Sequence, residues 1–302
     1  MNKFKGVPHI VVPTNRDEET IISFLNKWAE EFEGCVVHIV FDAEETPRWT
    51  SHHNEFSFPI ITYNWKSIEQ DLGKNYWIIP RNTDCVRSYG FYKAWQHEPL
   101  FIITLDDDTE PVNNPIKEHY KALYTNKYKD YYNTMKDYNP RGHEVFNEIK
   151  GSDVSHGVWV NVPDLNAKDQ LEGYEKATIN SFNKGLIPKN SYYSMCGMNL
   201  AWKPEHTKHM YFGLQGKNHP IDRCGDIWCG YNTTNKGLRT STGYAVVKHN
   251  RASNVWNNYK KESNAESMGL EYLNKKTSDE NKEYFKLLDE ATRIWYGLFE
   301  KN

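Results

Sequence analysis

The sequence predicts an α/β fold, a Rossmann-like mixed sheet flanked by helices with a helical C-terminal tail. Two apolar runs end in acidic residues: Cys35–Phe41 before Asp42, and Leu100–Leu105 before Asp106-Asp107-Asp108. Such unbroken runs suit strands buried on both faces of a parallel sheet. Ahead of the first run, Ile21, Phe24, Leu25, Trp28 and Phe32 recur at helical spacing. Far downstream, a charged stretch carries Tyr284, Phe285, Leu287, Leu288, Ile294, Trp295 and Leu298 on one side, as an amphipathic helix does.

Taken in order, Ile10–Val12 read as the first strand and Pro13-Thr14-Asn15-Arg16 as the turn after it. Asp17 caps the first helix and Gly34 ends it. The strand to Phe41 completes a βαβ unit, whose crossover is right-handed. Thr14, Arg16 and Asp42 thereby reach the same sheet edge as the Asp106 cluster. Phe58–Tyr63 and Tyr76–Ile79 are further strand candidates, and Asp84–Gln96 is a helix with Arg87 near its start. Residues 1–108 form the expected nucleotide-binding half. From Lys127 to Gly142 the chain is polar, aromatic and basic in patches, a composition that suits either a surface insertion or an acceptor-binding loop. Val158–Val162 and Met195–Trp202 are strands, with Gly197 marking a close backbone approach. Asp226 opens a helix, and Gly243–Lys248 is a strand delivering His249. Residues 109–262 form the sugar or acceptor half, and 263–302 the helical tail, which packs on the domain or joins copies of the chain as a homo-oligomer.

Three successive carboxylates are costly to bury without a cation. On a continuing strand Asp106 and Asp108 face the same way. Oxygen ligands suit Mg²⁺ or Mn²⁺ bridging to substrate phosphates. A solvated acidic turn capping the next helix is the plainer alternative. Asp42 fits a ribose or base contact, or a helix cap; Arg16 fits a phosphate, and Arg87 a phosphate or a surface carboxylate. No Gly-x-Gly-x-x-Gly turn marks a dinucleotide site.

The net charge of −3 and pI near 6.5 give no global basic field for nucleic acid or anionic membrane. Five cysteines, an odd number without paired zinc spacing, read as reduced thiols of a cytoplasmic protein. The strand at Val7–Val12 leaves no room for a signal peptide, and no apolar run is long enough to span a membrane.

Several motifs in order carry a resemblance. They are Val12–Arg16, Asp106–Asp108, Ser155–Asp164, Met195–Ala201, Met210–Leu214, Asp226-Ile227-Trp228 and His249–Asn254. Together they resemble the reversibly glycosylated polypeptide family, whose plant members include UDP-arabinopyranose mutases. The resemblance implies a glycosyltransferase-A type fold, a UDP-sugar substrate and Mn²⁺ or Mg²⁺. It implies that Asp106 and Asp108 hold the metal with His249 as third ligand. It also implies nucleotide or sugar contacts from Pro13, Thr14, Asp107, His156, Gly197 and Asn199. Arg141-Gly142 matches the family's Arg-Gly pair, whose arginine is associated with sugar attachment, and Asp226 is the expected contact to sugar hydroxyls or proton shuttle. Three features depart from the family: the paired aspartates before Met-Trp are Gly225-Asp226 here, a second arginine has no counterpart, Lys150 being the nearest cation, and the C-terminal tail does not resemble the plant proteins. Three functions follow from this reading: a mutase that recloses a pentose as furanose, a transferase to an acceptor hydroxyl such as hydroxymethylated pyrimidine in phage DNA, or an inactive UDP-sugar-binding scaffold.

Overall fold

A computed structural model describes residues 4–46, 55–129, 148–163, 165–189, 191–249, 254–274 and 276–300. The first half is an α/β arrangement. Strand β1 (His9–Thr14), helix α1 (Glu18–Trp28), β2 (Val36–Phe41), β3 (Ile60–Tyr63), α2 (Trp65–Leu72), α3 (Val86–Trp95) and β4 (Ile102–Leu105) follow one another. Asp17 caps α1, its carboxylate accepting the Thr20 N–H at 2.9 Å. Helix α1 stops at Trp28, earlier than Gly34; Phe32 still packs in the core, from the turn that follows. A capping box between Asn64 and Ser67 starts α2.

The second half adds β5 (Thr109–Pro111), α4 (Pro115–Tyr120), β6 (Lys127–Lys129), β7 (Glu148–Lys150), β8 (Val154–Asn161) and α5 (Ala167–Glu172). Then come β9 (Gly185–Leu186), β10 (Asn199–Trp202), α6 (Gly225–Asn235), β11 (Thr240–His249), α7 (Val255–Asn274) and α8 (Lys282–Gly297). Among the described residues the main sheet runs β3-β2-β1-β4-β10-β8-β11-β5, with β9 on β11; β6 and β7 form a separate pair. Strands β3, β2, β1 and β4 are parallel; β10 is antiparallel to both β4 and β8, and β11 parallel to β8. The ends of β1, β2, β4 and β11 therefore share one edge with the start of β10.

Two apolar layers cover the sheet. Ile10, Val12, Val37 and Ile39 face α1 with Phe24, Leu25 and Trp28, while Val11 and Val40 face α3. This is the period-2 alternation of a strand covered on both sides. A Cβ at Gly90 would lie 2.5 Å from Val11 Cγ1 and 2.7 Å from Val40 Cγ2, so only glycine lets α3 sit this close. Helix α8 joins the α3 layer through Tyr284, Phe285, Leu288, Ala291 and Trp295. Tyr272 on α7 stacks on Trp228 at 4.8 Å. Helix α7 spans residues 262 and 263, so the boundary between domain and tail falls inside a helix.

Two strand expectations change. Tyr76–Ile79 belongs to a 3₁₀ helix, Gly73–Ile78, with the Ile79 N–H bonded to the Tyr76 carbonyl at 3.0 Å. So short an apolar run cannot distinguish a strand from a tight helix. Residues 195–198 are irregular, and pairing starts only at Asn199, for a reason found at Gly197 below. All five cysteines are free, and burial pushes the Cys35 and Cys224 thiols up to about 12. Among the described residues no helix is long and apolar enough to cross a membrane.

Buried histidines stay neutral in this core. His9 Nε2 meets the Phe4 carbonyl at 3.0 Å and must donate, so its Nδ1 accepts from His38 Nε2 at 2.8 Å. His38 Nδ1 then accepts from the Tyr63 hydroxyl at 3.1 Å. Burial lowers His9 to about 4, and burial lowers His119 to about 4 although its bond to Asn199 pulls the other way. Above pH 6.5, the ordinary value, folded and unfolded chains are both neutral at these rings and the full stability is present. Between 6.5 and about 4 the unfolded chain takes up protons that the folded one refuses, so stability falls with pH by about 1.4 kcal/mol per pH unit for each ring. In His119→Gln, urea unfolding across this window should show a pH slope shallower by about that amount; an unchanged slope would remove the assignment.

Candidate active site

The acidic triplet sits in a turn and not on a continuing strand. Strand β4 ends at Leu105, and the Asp106 carbonyl accepts both the Thr109 N–H at 3.3 Å and the Thr109 hydroxyl at 2.8 Å. The three carboxylates consequently point at different partners. Asp106 Oδ1 accepts from Arg87 Nη2 at 2.7 Å. Asp107 Oδ2 accepts from the Thr14 hydroxyl at 2.6 Å, with Arg16 Nε 3.6 Å from its Oδ1. Asp108 lies 3.8 Å from Arg16 Nη2 and 3.7 Å from His249 Nε2. Burial raises the pKa of Asp107, against the pull of Thr14 and Arg16.

Register explains the His249 contact. Strand β5 pairs antiparallel with β11 so that Thr109 stands opposite His249, one residue beyond Asp108. Pro13 lies in β1 beside Val40; β1–β4 pairing stops at Val11, so its missing N–H is not needed on that side.

Arg87 is neither at a surface carboxylate nor open to a phosphate: its side chain is only 6% exposed. Its Nη1 donates to the Gly197 carbonyl at 2.6 Å and to the Thr104 hydroxyl at 3.1 Å, and Nε to the Asp84 carbonyl at 3.2 Å. Burial opposes its charge, but Asp106 and Asp84 outweigh burial and raise its pKa. The close approach expected at Gly197 is therefore made by Arg87, since a Cβ there would lie 2.6 Å from Arg87 Nη1 and 2.9 Å from the Phe212 ring. Accommodating that guanidinium bends 195–198 away from strand geometry.

Two expected ligand contacts have their polar atoms bonded within the protein. Asn199 is fully buried, its Oδ1 bonded to His119 at 2.8 Å and its Nδ2 to the Val158 and Ala245 carbonyls at 3.2 Å. His156 Nε2 accepts the Cys196 N–H at 3.1 Å and Nδ1 meets the Tyr193 hydroxyl at 2.7 Å. With its ring nitrogens so engaged and burial lowering it to about 3, His156 supports the 195–199 segment from beneath. Asp42 is held at the far end of the edge, accepting from Trp65 Nε1 at 2.8 Å; burial raises its pKa, while the Asn82 and Thr83 N–H groups lower it.

Asp226 lies in the first turn of α6, half-buried. Its Oδ2 accepts the Gly197 N–H at 3.3 Å and its Oδ1 the Ile227 N–H at 2.9 Å. Burial raises its pKa, and Arg87 counters this. Nothing in the sequence singled out its neighbour Asp84, bonded to Gln215 and raised to about 7 by burial and then by the charge of Asp226. Asp84 precedes an ordinary helix start, and only the fold brings it beside Asp226. A Cβ at Gly225 would lie 1.9 Å from the Phe212 carbonyl, so a side chain cannot replace this glycine here. Arg141 lies outside the described residues, as does most of the Lys127–Arg141 stretch.

Among the described residues no group of three or more His, Cys, Asp or Glu is arranged around a common metal position. The donor types nevertheless fit Mg²⁺ or Mn²⁺: the Asp108–His249 pair offers a carboxylate and an imidazole 3.7 Å apart.

Against known proteins, the pattern describing reversibly glycosylated polypeptides matches residues 6–275. The chain belongs to that family. Within the family, "Probable UDP-arabinopyranose mutase 1" of Solanum tuberosum is 31% identical over 275 residues, covering 84% of this chain and 73% of that protein. "UDP-arabinopyranose mutase 3" of Arabidopsis thaliana has the same identity and coverage. Among solved structures, S. aureus TarS 1-349 aligns with a TM-score of 0.43 at 14% identity, over 80% of this chain and 60% of that one.

Arg87 is the test of this architecture. Arg87→Met leaves Asp106, the Gly197 carbonyl and Thr104 without their donor, and should cost about 3–5 kcal/mol in denaturant unfolding. A loss below about 1 kcal/mol would mean that the site does not depend on it.

Proposed function

We propose that the protein is a UDP-arabinopyranose mutase-like enzyme, acting on a UDP-pentose. The observation that carries this reading is the gathering of Thr14, Arg16, Asp107, Asp108 and His249 at one sheet edge in a chain of this family. Relatives 31% identical over most of the chain bear that activity in their names.

The chemistry is an isomerisation. The bond between the anomeric carbon and the diphosphate breaks, and UDP leaves with the electron pair. The 4-oxygen then bonds to the anomeric carbon and gives up its proton. The bond from that carbon to the former ring oxygen breaks with its electron pair going to that oxygen, which takes a proton, and UDP recombines at the anomeric carbon. No oxidant is needed, only cationic support for the diphosphate and a carboxylate that accepts and returns a proton. Arg16 is suited to the first task, and Asp226, half-buried and held by two backbone N–H groups, to the second. Asp108 and His249 would hold a divalent ion, which would supply further charge neutralisation at the diphosphate. A transferase differs only in that an acceptor hydroxyl attacks the anomeric carbon in place of the sugar's own.

Incubation with UDP-arabinopyranose and Mn²⁺, with products resolved by NMR, should give the furanose form with no acceptor present. Turnover only on adding hydroxymethylated DNA or another hydroxyl acceptor would make the protein a transferase, and no turnover in either case a binding protein. Asp108→Asn should lower kcat/KM by about 10²–10³ while leaving the melting temperature near that of the parent; full activity would remove Asp108 from the site.

A further inference from the structure

Behind Asp226 the hydrogen bonds close into a ring. Asp84 Oδ1 accepts from Gln215 Nε2, and Gln215 Oε1 accepts the Gly225 N–H at 3.2 Å. Asp226, next in the chain, accepts the Gly197 N–H at 3.3 Å. The Gly197 carbonyl accepts from Arg87 Nη1 at 2.6 Å, and Arg87 Nε donates back to the Asp84 carbonyl at 3.2 Å. Four separate chain segments meet there, and none can shift alone. Gln215 is 1% exposed, and because the Gly225 N–H must meet its oxygen, its amide nitrogen has to face Asp84.

We propose that Asp84 is a positioning residue for Asp226: through Gln215 and Arg87 it fixes the first turn of α6, and as the proton-holding member of the pair it leaves Asp226 the anion. Backbone groups distinguish the two carboxyls. Asp226 receives two N–H donors, Gly197 and Ile227, which favour its ionised form. The side chain of Asp84 has one amide donor on Oδ1, and a proton on Oδ2 is compatible with that bond. The charged groups facing Asp84 are Asp226 on α6, Arg87 on α3, Arg223 just before α6 and Asp106 after β4. The anions favour its neutral form, and the two arginines oppose them. Burial raises Asp84 most and, with the anions, brings it to about 7. Ionising Asp84 puts a second anion beside Asp226, so turnover falls as pH rises through this value.

The inference rests on the mutase reading for its effect on rate, but the pair itself can be read without activity. Carboxyl ¹³C NMR of aspartate-labelled protein should show one group titrating near 7. That signal should vanish in Asp84→Asn, which keeps an acceptor for Gln215, and move to lower pH in Asp226→Asn. Persistence of the signal in Asp84→Asn, or an unmoved signal in Asp226→Asn, would overturn the pairing. Should Asp84→Asn fail to fold, Asp226→Asn carries the same titration test. In the pH dependence of kcat, the wild type should lose about tenfold per pH unit above its alkaline limb. Asp84→Asn should lack that limb, whereas a merely structural role would lower kcat equally at every pH. If the wild type turns over no UDP-pentose at any pH, the mutase reading fails while the NMR titration still decides the pair.

Discussion

A guanidinium inside the protein organises the sheet edge. Arg87 stands at the start of α3 with almost no exposure, and a charge so placed is tolerated only if its donors find acceptors. It finds them on a carboxylate after β4, a hydroxyl within β4, the Gly197 carbonyl before β10 and the carbonyl of Asp84. These contacts join the parallel half of the sheet to the mixed half where the two meet. They dictate a glycine at 197, the irregular backbone before Asn199, and one oxygen of Asp106. The turn holding Asp107 and Asp108 grows out of that anchored residue.

Around the anchor, polar residues divide into those that hold the frame and those that face outward. His119, Asn199 and His156 are buried and direct their hydrogen bonds to the protein. Arg16 and Asp108, 33% and 27% exposed at their side chains, form the rim, backed by Asp107, His249 and the buried Thr14. Asp226 lies between the two groups, tied to Gly197 yet not sealed. A rim of mixed charge on a rigid support suits a ligand carrying both a diphosphate and a polyhydroxylated ring. Preorganisation is achieved by backbone-to-side-chain bonds from several segments, so the rim can vary while the support stays fixed.

Much of this frame could be read from the residues. Apolar runs ending in Asp42 and Asp106 gave parallel strands and a shared acidic edge, because periodicity and burial are local properties. His249 could be read too, since a strand delivered it. What resisted reading was long-range. That Asp106 turns to Arg87, that His156 and Asn199 face inward, and that Asp84 meets Asp226 all depend on contacts between distant segments. Polar residues in family motifs look alike whether they touch a ligand or brace the loop that does. The Tyr76–Ile79 run failed for a different reason: four apolar residues do not carry enough periodicity to tell a strand from a tight helix.

The order of the strands has a kinetic corollary. β4 is flanked by β1, from near the start of the chain, and by β10, which is made from residues almost a hundred positions later. Helix α8 packs into the layer that α3 begins. Pairings between such distant segments must meet the loop-closure cost before they return any stabilisation, which slows folding. The ring through Asp84, Arg87, Gly197, Gln215 and Asp226 draws on four separate stretches of chain, so it cannot be complete until all four have met.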